Sequence, residues 1–250
     1  MFLKLQLVKK KFFLKDLFQI SRENKKILNL IIIKLTENDK CGFAECVPYK
    51  RYNESQKKIF TYLTNNQTKI LKLIRHNKLE KIKYLSLRTA LELALKHLNI
   101  NKENRYYLKK NIQASLLFLY LVKKRSKKII YKIKNVNFIK VKVNKKNILK
   151  TIKFINKNCP KSKIIIDANE GLNFNLLKKI IKNLERLNVI IIEQPFKYGL
   201  DHKLRYIKTE ILFCADESFH SNNKNKVLKF YQLINVKLYK FGGLYKVFKS

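Results

Sequence analysis

The sequence predicts an α/β fold in which an N-terminal α+β domain precedes an incomplete TIM-like (β/α) barrel of about six strands. Three observations predict it. Strand-like stretches precede amphipathic helices in the first hundred residues, whereas short apolar strands alternate with helices after about residue 110. In addition, the last five predicted strands carry polar signatures 21 to 27 residues apart, the length of one strand–helix unit with its loops.

The first hundred residues predict a small sheet followed by helices. LKLQLVK alternates apolar and polar residues, and ILNLIIIKL is a β-branched run that stops at the turn signal TENDKCG. A loop, GFAECVPYKRYNES, follows. Apolar residues then recur at helical spacing from about Ser55 to His76, and LSLRTALELALKHL over 85–98 predicts a stronger amphipathic helix.

After about residue 110 the pattern is that of a parallel sheet covered by helices. Six short apolar strands are predicted, over 112–116, 138–143, 163–167, 189–193, 211–216 and 233–238. Helices are predicted between them over 145–157, 173–187, 200–208 and 221–230, with Asn173 and Ser221 as N-caps. The predicted domains are therefore 1–109 and 110–250.

The charge of the chain raises the question of a polyanionic partner. Its 250 residues carry a formal net charge of +40, from 57 lysines and arginines against 17 acids. Only 8 of the 57 are arginines, the residue that is best suited to hydrogen-bond bases and to bind phosphates in a bidentate manner. The lysines are spread along the whole chain. The abundance of Lys, Asn and Ile with only 5 glycines favours drift toward AT-rich codons over nucleic-acid binding. A basic non-catalytic polyanion-binding protein stays an alternative.

The apolar runs and the cysteines of the sequence indicate in which cellular compartment the protein is expected. No apolar run approaches the roughly 18–20 residues of a membrane helix. Lysines interrupt the N-terminal stretch MFLKLQLVKKKFFLKDLF, so a signal peptide is not predicted. Cys41, Cys46, Cys159 and Cys214 show no metal-like spacing, and the simplest interpretation is a reduced, cytoplasmic protein without a membrane partner. The sequence leaves a homo-oligomer open.

Three acids end three successive predicted strands. Asp167 in IIIDAN, Glu193 in VIIIEQP and Asp216 in LFCADES would meet on one rim, because the carboxyl ends of parallel strands share an edge. An acid at this position is often a helix N-cap, but three in succession favour a set of oxygen ligands for Mg²⁺. Such a metal would bind a substrate carboxylate and stabilise the enolate formed when the α-proton is removed.

Lysines lie on the predicted strands at either side of these acids. Lys140 and Lys142 in FIKVKV project to the same face. Their mutual repulsion and a nearby metal would lower a lysine pKa toward neutrality and let one lysine act as a base. Two snorkelling surface lysines are the plain alternative in so lysine-rich a chain. Lys237, on the sixth predicted strand, would stand across the barrel, and two lysines on opposite sides of one carbon allow racemisation or epimerisation.

FIKVKV, DAN, EQP, ADES and NVKLYKFGG together resemble the enolase superfamily, in its mandelate racemase/muconate lactonizing subgroup. FQISR, GFAECVPYKRYNES and LRTALELAL resemble the capping domain of the dipeptide epimerases within that subgroup. The resemblance implies a capping domain over 1–109, a catalytic barrel domain over 110–250, and a Mg²⁺-dependent isomerase that epimerises a dipeptide such as Ala-Glu. An o-succinylbenzoate synthase-like dehydratase is the alternative within the superfamily, and the loop CVPYKRYNES favours the epimerase.

The resemblance also implies the roles of individual residues in the barrel. The implied metal ligands are Asp167, Glu193 and Asp216. The implied acid/base pair is Lys142 and Lys237, with Lys140 supporting the enolate and tuning Lys142, and with Lys240 as a neighbour.

Three residues of the first domain are implied to reach the substrate. Arg22 would hold its distal carboxylate, with a solvated surface arginine as the alternative. Tyr49 and Tyr52 lie in the loop expected to close over the site, where packing roles are equally compatible with the sequence.

The sequence departs from the family pattern at several positions. Glu23, Ala44 and Asn53 stand where the dipeptide epimerases have glycine, and Glu92 replaces the aspartate of their helix motif. The predicted strands stop at six, before the late D-x-D segment that binds the ammonium group of the dipeptide. This count leads us to expect a truncated chain with two exposed sheet edges and uncertain activity.

Overall fold

The computed structural model of the protein describes residues 3–20, 23–99, 116–118, 136–143, 145–220 and 224–248. The chain forms two compact units. The first combines residues 1–18, 24–108 and 237–250, and the second combines 19–23 and 109–236. The predicted boundary between residues 109 and 110 lies outside the described residues, so the division into a capping domain and a barrel domain stays a prediction.

A three-stranded sheet in the order β1–β2–β3 begins the chain; its strands are Lys4–Ile20, Glu23–Glu37 and Lys40–Cys46. β2 and β3 form an antiparallel hairpin in which Glu37 pairs with Lys40. Asn38 takes the left-handed conformation, at φ 51°, that this tight turn requires. Ile31 and Ile33 on β2 are fully buried, so alternate residues face the core as the sequence period predicts.

The helical spacing predicted from about Ser55 to His76 is confirmed as two helices, α1 (Gln56–Asn65) and α2 (Gln67–Arg75). Ser55 caps α1 by accepting a hydrogen bond from the Lys58 amide. The helices separate at Asn66, whose side-chain amide donates to the Tyr62 carbonyl at 2.9 Å. Asparagine competes in this way for backbone partners, which explains why one helix ends and another begins here.

The stronger predicted helix is confirmed as α3 (Leu85–Leu98). Its apolar face buries Leu87, Leu91 and Leu98 in the core of the first unit. Ala90 and Ala94 lie on that face as well and are fully buried. Because these alanines are small, the helix can pack closely against β3.

The second unit contains a six-stranded sheet in the order β4–β5–β6–β7–β8–β9, with every neighbouring pair parallel. The strands are Leu116–Phe118, Phe138–Lys142, Lys163–Asp167, Val189–Glu193, Leu212–Ala215 and Leu233–Ile234. The predicted fold class, an N-terminal α+β unit followed along the chain by an incomplete parallel (β/α) barrel, is therefore confirmed. Residues 112–115 of the first predicted strand lie outside the described residues.

Helices connect the parallel strands as predicted, at shorter lengths. α4 (Ile148–Asn158) and α5 (Phe174–Glu185) are regular, a 3₁₀ turn covers Asp201–Tyr206, and α6 is Lys224–Val227. Asn173 caps α5, since its side chain accepts from the Leu176 amide at 2.8 Å. Ser221, the other predicted cap, lies outside the described residues. Two short helices, α7 (Leu238–Phe241) and α8 (Leu244–Phe248), follow β9.

All four cysteines are free thiols, and Cys41 alone among them is exposed. Burial raises the pKa of Cys46 to about 12. Burial also raises the pKa of Cys214 to about 12, with a further contribution from Glu193. In the part of the chain that the structure describes, no helix combines the length and apolar character needed to cross a membrane.

We expect a disulfide reagent such as Ellman's to modify one thiol rapidly in the native protein and all four after unfolding. The reacting species is the thiolate, and the raised pKa values of the buried Cys46 and Cys214 disfavour it at neutral pH. Cys41 is the cysteine that is exposed to the reagent. The variant Cys41→Ser should lose the rapid phase. A rapid phase that persists in this variant would contradict the burial described.

Candidate active site

The register of the parallel sheet brings the predicted acids to one edge. Lys142 pairs with Asp167, Asp167 with Glu193, and Glu193 with Cys214. Asp216 lies two residues beyond Cys214, immediately after β8. Asp167, Glu193 and Asp216 are 4%, 4% and 1% exposed, so all three predicted ligands are carboxylates withdrawn from solvent at the carboxyl ends of neighbouring strands.

Lys140 and Lys142 project from β5 toward these acids. The Lys140 ammonium lies 2.5 Å from Glu193 Oε2 and 3.4 Å from Asp167 Oδ2. Lys142 Nζ lies 3.8 Å from Asp167 Oδ2. The structure therefore favours the predicted functional orientation over two snorkelling surface lysines, since both side chains reach buried carboxylates.

Lys140 is the lysine that the family resemblance assigns to support of the enolate. Burial disfavours its charged form, but the attraction of Asp167 and then of Glu193 outweighs burial, and the pKa of Lys140 is raised. The two carboxylates therefore favour the charged form of Lys140. A charged ammonium group suits the predicted role of stabilising an anion better than it suits proton removal.

Glu217 is a fourth acid in the cluster that the sequence analysis missed. Asn169 Nδ2 donates to its Oε1 at 3.2 Å, while its Oε2 is buried without a hydrogen-bond partner among the described residues. Burial, followed by the repulsion of Asp216, raises the pKa of Glu217. Glu217 directly follows Asp216 in ADES, so the second acid is visible in the sequence. A rule of one acid per strand end selects Asp216 alone.

Four acids interact electrostatically in this cluster. Lys140 contacts Asp167 and Glu193, Lys142 contacts Asp167, and the charge of Asp216 acts on both Glu193 and Glu217. Burial and the nearby Asp167 raise the pKa of Glu193 even though Lys140 lies beside it. A divalent cation with oxygen ligands fits the chemistry of such a set of acids.

The same residues do not yet form a closed metal cage. Across the described ranges, no three Cys, His, Asp or Glu side chains lie close enough together to hold an ion. Lys140 Nζ lies within ion-pair distance of both Asp167 and Glu193. The buried acids and the unpartnered oxygen of Glu217 nevertheless fit a hard cation, provided that the Lys140 ammonium shifts aside.

Two asparagines orient the acids. Asn235 Nδ2 donates to Glu193 Oε1 at 2.8 Å, which leaves Oε2 of that carboxylate on the side of Lys140. The Asn169 amide donates to Asp167 Oδ1 at 3.3 Å from a left-handed backbone at φ 41°. Neither asparagine was predicted to have a role, because a side chain that supports another site residue leaves no local pattern in the sequence.

Lys237 is placed differently from the prediction. The sixth strand ends at Ile234, and Lys237 is instead the residue before α7, in the first compact unit. Residues 235–237 are irregular, and LYKF then forms a helical turn that Gly242 ends at φ 79°. A role opposite Lys142 stays a prediction.

Lys240 is buried within α7 at 3% exposure.

Tyr49 and Tyr52 pack in an aromatic cluster of the first unit. The ring centroid of Tyr49 lies 5.6 Å from that of Tyr52 and 5.4 Å from that of Tyr239. The buried Glu54 carboxylate holds their loop by accepting from the amides of Tyr49 and Ser86, each at 3.2 Å. The packing alternative is thus observed for both tyrosines, and their contact with substrate stays a prediction.

Arg22 lies outside the described residues.

Comparisons with known proteins place this chain in a family. A family model described as "Enolase C-terminal domain-like" matches residues 128–250. N-acetyl-D-glutamate racemase from Pseudoalteromonas sp is 31% identical over 225 residues, which cover 86% of this chain and 71% of the racemase. The chain belongs to the enolase superfamily.

Two further members of the enolase superfamily resemble the chain over most of its length. L-Ala-D/L-Glu epimerase from Escherichia coli (strain K12) is 27% identical over 245 residues, covering 91% of this chain and 74% of the epimerase. An enolase family member from Agrobacterium tumefaciens with homology to dipeptide epimerases was solved with sodium and L-Ala-L-Glu bound. It shares 25% identity at a TM-score of 0.82, over 98% of this chain and 78% of that one. The resemblance of the sequence to the enolase superfamily is confirmed.

Proposed function

We propose that this chain is a Mg²⁺-dependent epimerase that moves the α-proton of a glutamyl residue, with a dipeptide such as L-Ala-L-Glu as substrate. The observation that carries the proposal is the buried cluster in which Asp167, Glu193 and Asp216 end adjacent strands beside Lys140 and Lys142. The named relatives are an N-acetyl-D-glutamate racemase and an L-Ala-D/L-Glu epimerase, of which the matches cover 71% and 74%. Four free cysteines fit the reduced cytoplasm, where we place the protein.

The residues divide the chemistry between them. Asp167, Glu193 and Asp216 would hold Mg²⁺, which when bound supplies electrostatic stabilisation of a carboxylate that gains negative charge. Lys140 stays cationic, because its carboxylate neighbours raise its pKa, and adds a second positive charge at the same place. Lys142, with its longer 3.8 Å contact to Asp167, takes the proton from the substrate α-carbon or returns it.

Removal of the proton on one side and its return on the other inverts the carbon. In this proposal Lys142 serves one epimer and Lys237 the other. The expected product from L-Ala-L-Glu is therefore L-Ala-D-Glu, with a solvent-derived hydrogen at the glutamyl α-carbon.

Hydrogen exchange in D₂O tests the function directly. With Mg²⁺ and L-Ala-L-Glu, we expect deuterium at the glutamyl α-carbon by NMR, and its loss on addition of EDTA. Asp167→Asn removes one charge from the cluster and should lower the exchange rate at least about 100-fold, since a metal-bound carboxylate is lost.

The matched control is Asp39→Asn, the same substitution at an exposed turn residue, which should leave exchange unchanged. Absence of exchange in folded, Mg²⁺-supplemented wild-type protein would refute the proposed activity. Exchange that survives EDTA would refute the metal requirement.

N-acetylglutamate is a second candidate substrate, favoured by the 31% identity to N-acetyl-D-glutamate racemase. The reacting carbon and its carboxylate are the same as in Ala-Glu, so the two candidates differ only in the acyl group. Parallel exchange assays with both substrates decide between them, through the ratio of their kcat/KM values.

A further inference from the structure

Gln194, which follows Glu193 in the EQP motif, is fully buried at the centre of a polar network. Its Oε1 accepts hydrogen bonds from the backbone amides of Asp216 at 3.0 Å and Ser218 at 2.9 Å. The Gln194 side chain, at the carboxyl end of β7, therefore binds the backbone at both ends of the turn that carries the Asp216 carboxylate. The backbone adds to this link, as the Gln194 amide donates to the Cys214 carbonyl at 2.8 Å.

The other side of the Gln194 amide faces acceptors. Nε2 lies 3.0 Å from the Phe196 carbonyl, 2.8 Å from Ser218 Oγ, 3.1 Å from Tyr231 OH and 3.4 Å from Asp201 Oδ1. A carbonyl and a carboxylate can only accept, while the two backbone amides at Oε1 can only donate. A flipped amide would place the Nε2 donor against the two backbone N–H donors and the Oε1 acceptor against the carbonyl and the carboxylate. The hydrogen-bond partners therefore fix the orientation of the Gln194 side-chain amide.

Asp201 fixes the direction of the whole network. Its Oδ1 accepts from Ser218 Oγ and from Tyr231 OH, each at 2.7 Å. Because both hydroxyl hydrogens point to Asp201, both hydroxyl oxygens are left to accept from Gln194 Nε2. Asp201, Ser218 and Tyr231 are 6%, 0% and 4% exposed, so solvent does not compete for these bonds.

Tyr231 keeps its hydroxyl proton around neutral pH. Burial, and then the charge of Asp201, raise the pKa of Tyr231 far above its ordinary value, so its hydroxyl keeps the proton it donates. Gln194 has no titrating group. The backbone of Gln194 also takes a left-handed conformation at φ 39°, which costs energy and persists only where contacts enforce it.

We propose that Gln194 is a positioning residue that sets the Asp216 carboxylate relative to Glu193, with Asp201, Ser218 and Tyr231 as the support that orients it. The inference rests on the proposed function in one respect, the role of Asp216 as a Mg²⁺ ligand. Glu193 and Asp216 lie on neighbouring strands, and a hard cation accepts little error in the distance between its ligands. Gln194 sets that distance through the side chain next to one acid and the backbone amide of the other.

A matched pair of glutamine variants tests the proposal. Gln194→Met removes the amide at the carboxyl end of β8. Gln232→Met removes an equivalent bond at the opposite end, where Gln232 Oε1 accepts from the Phe213 amide at 2.9 Å. Both glutamines hold the backbone of the same strand, but only Gln194 holds the turn with Asp216.

Two measurements are made on the folded full chain. The first is amide hydrogen exchange without metal, in which Gln194→Met should raise the rates of Asp216 and Ser218 at least about tenfold, and Gln232→Met the rate of Phe213 alone. The second is the Mg²⁺ Kd by calorimetry, which Gln194→Met should weaken about 10–100-fold and Gln232→Met by less than about twofold.

An unchanged Mg²⁺ Kd in Gln194→Met, or an equal loss in both variants, would overturn the positioning role. If wild-type protein binds no Mg²⁺, the proposed function fails, and amide exchange alone then decides about Gln194. Unaltered Asp216 and Ser218 rates would overturn the inference in that case. Should Gln194→Met not fold, Tyr231→Phe removes one support and is expected to change both measurements in the same direction, to a smaller extent.

Discussion

Replacing Lys142 by alanine is expected to lower α-proton exchange of one Ala-Glu epimer by about 10²–10⁴-fold while exchange of the opposite epimer persists. Each lysine of a two-base epimerase faces only one side of the α-carbon, so it can remove the proton of only one epimer. Lys237→Ala should show the reverse preference. Net epimerisation should be lost in both variants, because inversion needs both lysines.

The measurement is deuterium incorporation into L-Ala-L-Glu and L-Ala-D-Glu, assayed separately with saturating Mg²⁺. Lys145→Ala serves as the control, since Lys145 is an exposed lysine in the loop that follows the same strand. Equal losses of α-proton exchange for both epimers in Lys142→Ala would show that Lys142 organises the site and does not remove the proton from one particular side of the α-carbon. Unchanged exchange in Lys237→Ala would remove Lys237 from the acid/base pair.

Lys140 should behave differently from Lys142. It lies 2.5 Å from Glu193 and 3.4 Å from Asp167, and its raised pKa keeps it charged. A charged lysine between two metal-ligand candidates contributes equally to both directions of proton transfer. The different roles that the family resemblance implies for Lys140 and Lys142 stay a prediction.

The strand ends of the second unit were predictable because their signal is local and periodic. A run such as KIIID or VIIIE is apolar on both faces and stops at its acid, and the observed strands match the predicted ranges at Lys163–Asp167 and Val189–Glu193. Parallel pairing then follows from the helices between the strands. Since parallel strands end on one edge, convergence of the acids follows from topology alone.

What the sequence did not predict depends on contacts between distant residues. The network around Gln194 joins residues 194, 201, 218 and 231, and no spacing rule connects them. Asn235 reaches Glu193 across 42 positions of sequence. Side-chain hydrogen bonds of this kind are set by tertiary packing, so periodicity carries no information about them.

Local competition sets the boundaries of two segments. The helical pattern from about Ser55 to His76 divides at Asn66, and the adjacent asparagines at 65 and 66 are its signal in the sequence. The predicted strand over 233–238 is observed only over Leu233–Ile234, and after the irregular residues 235–237 a helix begins at Leu238. The Gly242–Gly243 pair ends a short helix as readily as it follows a strand, so apolar alternation alone does not distinguish the two.

Gly42→Ala is expected to lower the free energy of unfolding of the protein by about 3 kcal/mol, the largest stability effect we expect from adding one methyl group. A Cβ at this position would lie 2.0 Å from the Ala94 carbonyl oxygen and 2.5 Å from the Leu98 amide nitrogen. Both are backbone atoms of α3, so no side-chain rotation can relieve the overlap. The helix would have to move away from β3, opening the core around the fully buried Leu91.

The control is Gly199→Ala, where a Cβ would have nothing within 4 Å but the backbone is left-handed at φ 91°. This variant isolates the conformational cost of losing a glycine, about 1 kcal/mol, from the steric cost at Gly42. Urea unfolding followed by circular dichroism compares the two at equal protein concentration. Since α3 and β3 share the core of the first unit, Gly42→Ala should also weaken the 3.0 Å hydrogen bond from the Phe43 amide to His97 Nδ1. Equal losses in the two variants would mean that α3 can shift on β3, and that close packing is not the reason for glycine at position 42.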